Sequence, residues 1–121
     1  MSGTDELSIL LGDAGGLESS GYTACAITTI HNTASAGDDA SGRFVLAAAQ
    51  GASDVVDGVV ILMLEDSSAY TWALSSSCRI GSNRIATAGG SKSLSAELTQ
   101  VNIYTGGSDT FDAGAVNITY F

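Results

Sequence analysis

Period-two alternation of large apolar and small polar side chains is what most restricts this chain. Tyr70, Trp72 and Leu74 alternate with Thr71, Ala73 and Ser75, and Val116, Ile118 and Tyr120 alternate with Asn117 and Thr119. Successive side chains of a strand point to opposite faces, so such runs fit half-buried strands and not helices. Sustained helical stripes are absent, and only residues 47–50 collect good helix formers before Gly51 ends them. Gly- and Asp-rich turn chemistry separates the apolar runs at 36–39, 57–58, 66–68, 88–91 and 106–109. Several short strands at this spacing predict an all-β chain, an antiparallel β-sandwich of jelly-roll-like type.

Strands are expected over residues 22–30, 42–48, 57–65, 69–76, 79–86, 93–104 and 115–121. The run Val59-Val60-Ile61-Leu62-Met63-Leu64 is apolar at every position, which predicts a strand buried on both faces. In 93–104, Leu94, Ala96 and Leu98 have one parity, whereas Val101 and Ile103 have the other. One strand cannot bury both sets without a slip, so a β-bulge or bend is expected near Thr99–Gln100. Val101-Asn102-Ile103-Tyr104 is echoed by Val116-Asn117-Ile118-Thr119-Tyr120, and the two segments could form a hairpin.

Residues 22–121 are read as a single sandwich domain. Residues 1–21 are read as an N-terminal arm or a docked first strand, with Leu7, Ile9, Leu10 and Leu11 as its apolar patch. As an arm, those four would contact a neighbouring subunit by adding backbone to a sheet edge.

The chain carries 4 Lys+Arg against 13 Asp+Glu, a net charge of −9, which argues against a phosphate-backbone partner. No Gly-rich loop is followed by Lys-Ser/Thr, so no phosphate cradle is expected. The longest apolar run falls far short of the ~20 residues that cross a bilayer as a helix. Met1 to Leu11 contains Asp5 and Glu6 and no basic region, so synthesis in a cytoplasm without secretion is expected. Cys25 and Cys78 could pair if strands bring them together, but two buried free thiols are the expected state.

Catalytic residues are not expected. His31 is the one histidine, so any Ser/His/Asp or Cys/His site must use it, and no nucleophile elbow accompanies it. Asp38-Asp39, Asp54/Asp57 and Asp109/Asp112 sit in Gly-rich stretches and could supply oxygen to a Ca²⁺, but they lack the ligand comb of an EF-hand; capping of turns is the simpler role. Tyr70 and Trp72 share a face that suits core packing better than a sugar platform. No cofactor and no metal is expected.

One stretch carries a resemblance. Residues 89–104, Gly-Gly-Ser-Lys-Ser-Leu-Ser-Ala-Glu-Leu-Thr-Gln-Val-Asn-Ile-Tyr, are followed by Gly107-Ser108-Asp109-Thr110-Phe111-Asp112-Ala113-Gly114-Ala115-Val116-Asn117-Ile118. This region resembles the C-terminus of small tailed-bacteriophage virion proteins, in which a strand leads through a loop of this type to a terminal strand. The Asp109–Gly114 run is its most specific piece. The resemblance implies a virion structural protein on the particle exterior, made in the host cytoplasm. It suggests a capsid decoration (cement) protein, a homotrimer bound to the major capsid protein or another virion protein, with Leu7, Ile9, Leu10 and Leu11 as the candidate contact with the shell; a tail-fibre or tail-tip host-adhesion module is the alternative. Locally, Asp109 and Asp112 are expected to bond backbone N–H groups around a tucked Phe111. Gly114 is expected to take a φ that other residues resist.

Overall fold

The computed structural model describes residues 3–30, 35–48 and 50–120, with backbone only over 35–39. It is all-β, and no helix occurs among the described residues. The strands are β1 (Leu7–Asp13), β2 (Gly16–Leu17), β3 (Tyr22–Ile30), β4 (Ser35–Ala40), β5 (Phe44–Ala47), β6 (Val56–Asp66), β7 (Thr71–Ile80), β8 (Arg84–Ser93) and β9 (Gln100–Thr105).

Two antiparallel sheets pack face to face. The larger has the order β4-β3-β8-β7-β6, so β4 and β6 are its edges. The smaller is organised around β1. Its one edge pairs with β5 at Leu7–Ile9 and with β2 at Gly12–Asp13, and its other edge pairs with β9 from Leu7↔Thr105 to Gly12↔Gln100.

Ile9, Leu11, Tyr22, Phe44, Leu46, Leu74 and Leu94 form the core between the sheets. The Tyr22 and Phe44 rings meet edge to face, with centroids 5.0 Å apart. Ala47, Cys78, Ile80 and Ala86 form a second, smaller cluster. Along β7 the inward residues are Leu74, Ser76, Cys78 and Ile80, as period-two burial requires.

Several sequence expectations need correction. The glycines at 88–91 and the pair Asp57-Gly58 lie inside β8 and β6, not in turns, and the backbone of 36–39 belongs to β4. A Cβ on Gly90 would stand 2.9 Å from the Cα of Ala24, and one on Gly58 would stand 2.6 Å from the Cα of Cys78. These glycines therefore serve close approach between neighbouring strands. Residues 79–86 are not one strand: β7 ends at Ile80, and the chain turns through Gly81, with φ 58°, into β8. The parity change expected as a bulge near Thr99–Gln100 is instead a break, where the chain leaves β8 at Ser93 and crosses to the other sheet before β9. Leu94 N–H donates to the Tyr70 carbonyl (3.1 Å) and Thr99 N–H to that of Gly12 (3.0 Å), so the crossing is tied at both ends.

Residues 115–120 form no ladder, so neither the last strand nor the hairpin with 101–104 is present. Val116, Ile118 and Tyr120 are 65%, 74% and 88% exposed. The β6 run is not buried on both faces either. Val60 and Leu62 pack toward the core, while Val59, Ile61 and Met63 face outward and are more than half exposed.

Candidate interaction surface

All four basic side chains are committed inside the chain. Arg43 pairs with Glu6, Arg79 with Asp57, Arg84 with Asp54, and Lys92 with Glu18. Nine of the 13 acidic residues stand outside these pairs (13 − 4 = 9), so the excess negative charge is carried with no basic patch to offset it. Arg79 and Asp57 are directly opposite across β6 and β7, and the guanidinium holds the Asp57 carboxyl below the usual carboxylate range.

The segments around Lys92 and Asp109 resolve into two fastenings. Lys92 is only 5% exposed, since it has the inward parity of Ala86 on β8 and the residues between them, 87–91, are small. Its Nζ bonds a Glu18 carboxylate oxygen, donates to the Ser93 carbonyl (2.7 Å) and lies 5.4 Å from the Tyr22 ring centroid. Ser95 completes the site: its N–H (2.9 Å) and hydroxyl (2.8 Å) donate to the other Glu18 oxygen. These bonds, that to Lys92 first, hold the Glu18 carboxyl at a pKa of about 2. Tyr22 OH donates to the Glu18 carbonyl (2.8 Å) and accepts from Leu11 N–H (2.9 Å), which links the latch to β1. Sequence reasoning missed Glu18; the inward parity of Lys92 was the available signal that a buried cation needed a carboxylate.

The second fastening is a reciprocal clasp. Asp5 N–H donates to the Asp109 carboxylate (2.7 Å), and Asp109 N–H donates to that of Asp5 (2.8 Å). Thr105 hydroxyl donates to the Asp109 carbonyl (2.6 Å). Asp109 thus binds backbone N–H as expected, but of the distant N-terminal segment and not around Phe111. Phe111 is half exposed and does not tuck under the sheet, and Asp112 is exposed. Gly114 has φ 149°, in the region that favours glycine, as expected.

The N-terminal patch is structural. Ile9 is 2% and Leu11 0% exposed, while Leu7 and Leu10 pack against the core from partly buried positions. Residues 7–13 are therefore the docked first strand, and an arm that offers Ile9 and Leu11 to a shell is corrected: both side chains are already used within the fold. His31 and the side chains of Asp38 and Asp39 lie outside the described residues. Asp54 and Asp57 bind arginines, and no cluster of three or more metal-ligating side chains occurs among the described residues. Tyr70 lies in the β6–β7 turn at φ 52°, so it does not form a platform with Trp72, which packs against the core.

Both cysteines are free, and they face opposite sides of the larger sheet, but only Cys78 is buried. Burial pushes the Cys78 thiol pKa up. A thiol reagent should modify one cysteine, Cys25, in the native protein and both after denaturation; mass spectrometry of the modified protein checks this. Native modification of Cys78 at the rate of Cys25 would contradict the placement.

A row of exposed large apolar side chains lies on the outer face of the larger sheet, along its β6 edge. Strand register places Asp57, Val59, Ile61 and Met63 of β6 beside Arg79, Ser77, Ser75 and Ala73 of β7, then Ile85, Thr87, Gly89 and Ser91 of β8. Cys25 and Ile27 of β3 follow. The small residues form an open depression of about 470 Å³, lined by Cys25, Ile27, Ser75, Ser77, Thr87 and Gly89. Apolar side chains rise around it: Ile27 on β3, Ile85 on β8, and Val59, Ile61 and Met63 along β6. Exposed apolar side chains grouped around small residues on one face suit contact with a partner. Comparison with protein-family models, with curated proteins and with solved structures finds no match to this chain.

Proposed function

We propose that the chain is a structural subunit of a tailed-bacteriophage virion, displayed on the particle exterior, where it acts as a decoration protein that cements the head. The observation that carries this reading is the apolar outer face bordered by Val59, Ile61 and Met63 on a strongly acidic, cation-poor subunit. That chemistry suits permanent contact with protein and not with nucleic acid. The phage-like motif over residues 89–118 supplies the context. Because β1 is inside the fold, the outer face of the larger sheet takes the shell-contact role, toward the major capsid protein or another virion protein. A homotrimer at capsid three-fold positions repeats that contact by symmetry. Negative charge keeps free subunits apart in solution before they bind.

A second reading, a tail-fibre or tail-tip adhesion module, draws on one feature. Tyr70 stands exposed at the tip of the long β6–β7 hairpin, in a conformation that the Leu94 bond to its carbonyl maintains. Exposed aromatics on rigid tips serve recognition. Quantitative mass spectrometry of purified particles should find this chain in hundreds of copies. A handful of copies, with saturable adsorption of the isolated protein to host cells, would select the adhesion reading; absence from the particle would sink both.

A further inference from the structure

We propose that residues 115–120 of one copy add as a strand to the free edge of β6 in a second copy of this chain. The interface needs only this chain and does not depend on where the assembled protein is displayed.

The segment and the edge lack each other's chemistry and nothing else. Residues 115–120 have strand alternation but no ladder partner, and Val116, Ile118 and Tyr120 leave most of their surface in water. On one side β6 pairs with β7 through ten register positions, while its second edge pairs with no strand among the described residues. Unpaired edges are normally protected by Lys, by Pro or by shortness. Here β6 is 11 residues long, carries no Lys or Arg, and the chain has no Pro; its bulge at Leu64/Asp66 and its acidic residues lie at the ends and leave 58–64 open. An open edge of this kind is a template for an incoming strand.

Apolar character on both faces of β6 points the same way. Sequence pattern predicts a strand covered on both sides, whereas a single copy covers only one. An added strand would lie beside Val60 and Leu62 on the inner face and beside Val59, Ile61 and Met63 on the outer face. Every β6 side chain from 59 to 63 would gain an apolar or small neighbour.

Length and charge match. Six residues at ~3.4 Å each span about 20 Å, close to the seven-residue stretch Gly58–Leu64. That stretch has no charged side chain, with Asp57 below it and Glu65 and Asp66 above; residues 113–121 have no charged side chain either. In a chain of net charge −9, self-contact costs least where two neutral segments meet. The other open edge of the larger sheet, β4, carries Asp38 and Asp39 in its short sequence and lacks a neutral run of this length. A head-to-tail exchange of this segment gives a ring where its rotation closes, and every β6 edge is then paired.

Sedimentation of the full chain should reveal a discrete oligomer. Removing residues 115–121 should yield a monomer that keeps its far-ultraviolet spectrum and cooperative melting, since no described side chain of the segment is buried. A labelled peptide of residues 113–121 should then bind the truncated chain saturably. Its affinity should fall about tenfold or more for truncated chain carrying both Ile61→Lys and Met63→Lys, which put charge beside the incoming strand. A monomeric full chain, an oligomer that survives truncation, or peptide binding unchanged by the two lysines would each overturn the proposal. Should the double variant not fold, truncation and peptide binding on the truncated chain decide.

Discussion

Deletion of residues 1–12 is expected to abolish folding. β1 is the strand on which the smaller sheet is assembled: β2, β5 and β9 all pair with it. Ile9 and Leu11 lie in the centre of the core, and Leu11 N–H holds the Tyr22 hydroxyl in place. Deletion also removes Asp5 from its clasp with Asp109 and Glu6 from Arg43. Truncation of one buried Leu or Ile to Ala costs about 2–5 kcal/mol, and a domain of this size has about 5–15 kcal/mol in total. Loss of two such side chains together with a central strand exceeds that reserve. Circular dichroism should show no cooperative thermal transition for the deletion, while Leu11→Ala should fold and lose about 2–5 kcal/mol in urea titration. A cooperative melt of the deleted chain near that of the intact protein would mean that β1 is dispensable and the arm reading correct.

The two views of β1 show where sequence information runs out. Leu7, Ile9, Leu10 and Leu11 announce an apolar segment, but a docked strand and an arm have the same composition. Only the positions of their partners separate the two, and those partners, Phe44 and Val101–Thr105, are distant in sequence. Composition located β3, rich in Thr and small apolar residues, and a short apolar run located β5, whose four residues are all buried; alternation located the inner residue Leu74 of β7, which has one face on the core. Glycine misled wherever it served close packing of strands, as at Gly58 and Gly90, because the sequence does not distinguish a glycine that turns from one that makes room. The parity change between Leu98 and Val101 was real, but its cause was passage between sheets and not a bulge. Over residues 59–64 and 115–120 the sequence promised more burial than one copy delivers. Such conflict between local pattern and folded environment is expected where a chain meets a partner. Phe111 is a further case: its loop was recognised, but the aromatic that was expected beneath the sheet faces water.

Glu18→Gln is expected to cost more stability than Lys92→Met. Lys92 is 5% exposed and Glu18 is 23% exposed at its side chain. Neutralising Glu18 leaves a buried ammonium with the Ser93 carbonyl and the Tyr22 ring as its remaining support, and an uncompensated buried charge costs about 3–5 kcal/mol. Removing the ammonium instead leaves a partly solvated carboxylate that keeps both Ser95 bonds, so the loss should be nearer 1–3 kcal/mol. The double variant should be more stable than Glu18→Gln alone, because the second substitution removes the stranded charge. The pair also sets an acid limit. The Glu18 pKa falls from 4.5 to about 2 on folding. Between those values the unfolded chain binds the extra proton, so stability rises with pH across that window. The contribution is complete above about pH 4.5 and is lost as pH falls through the folded value. Urea titrations at a series of acidic pH values should therefore give a steep decline for the wild type and a shallower one for Glu18→Gln. Equal pH slopes for the two proteins, or a double variant less stable than Glu18→Gln, would show that Lys92 and Glu18 do not hold each other.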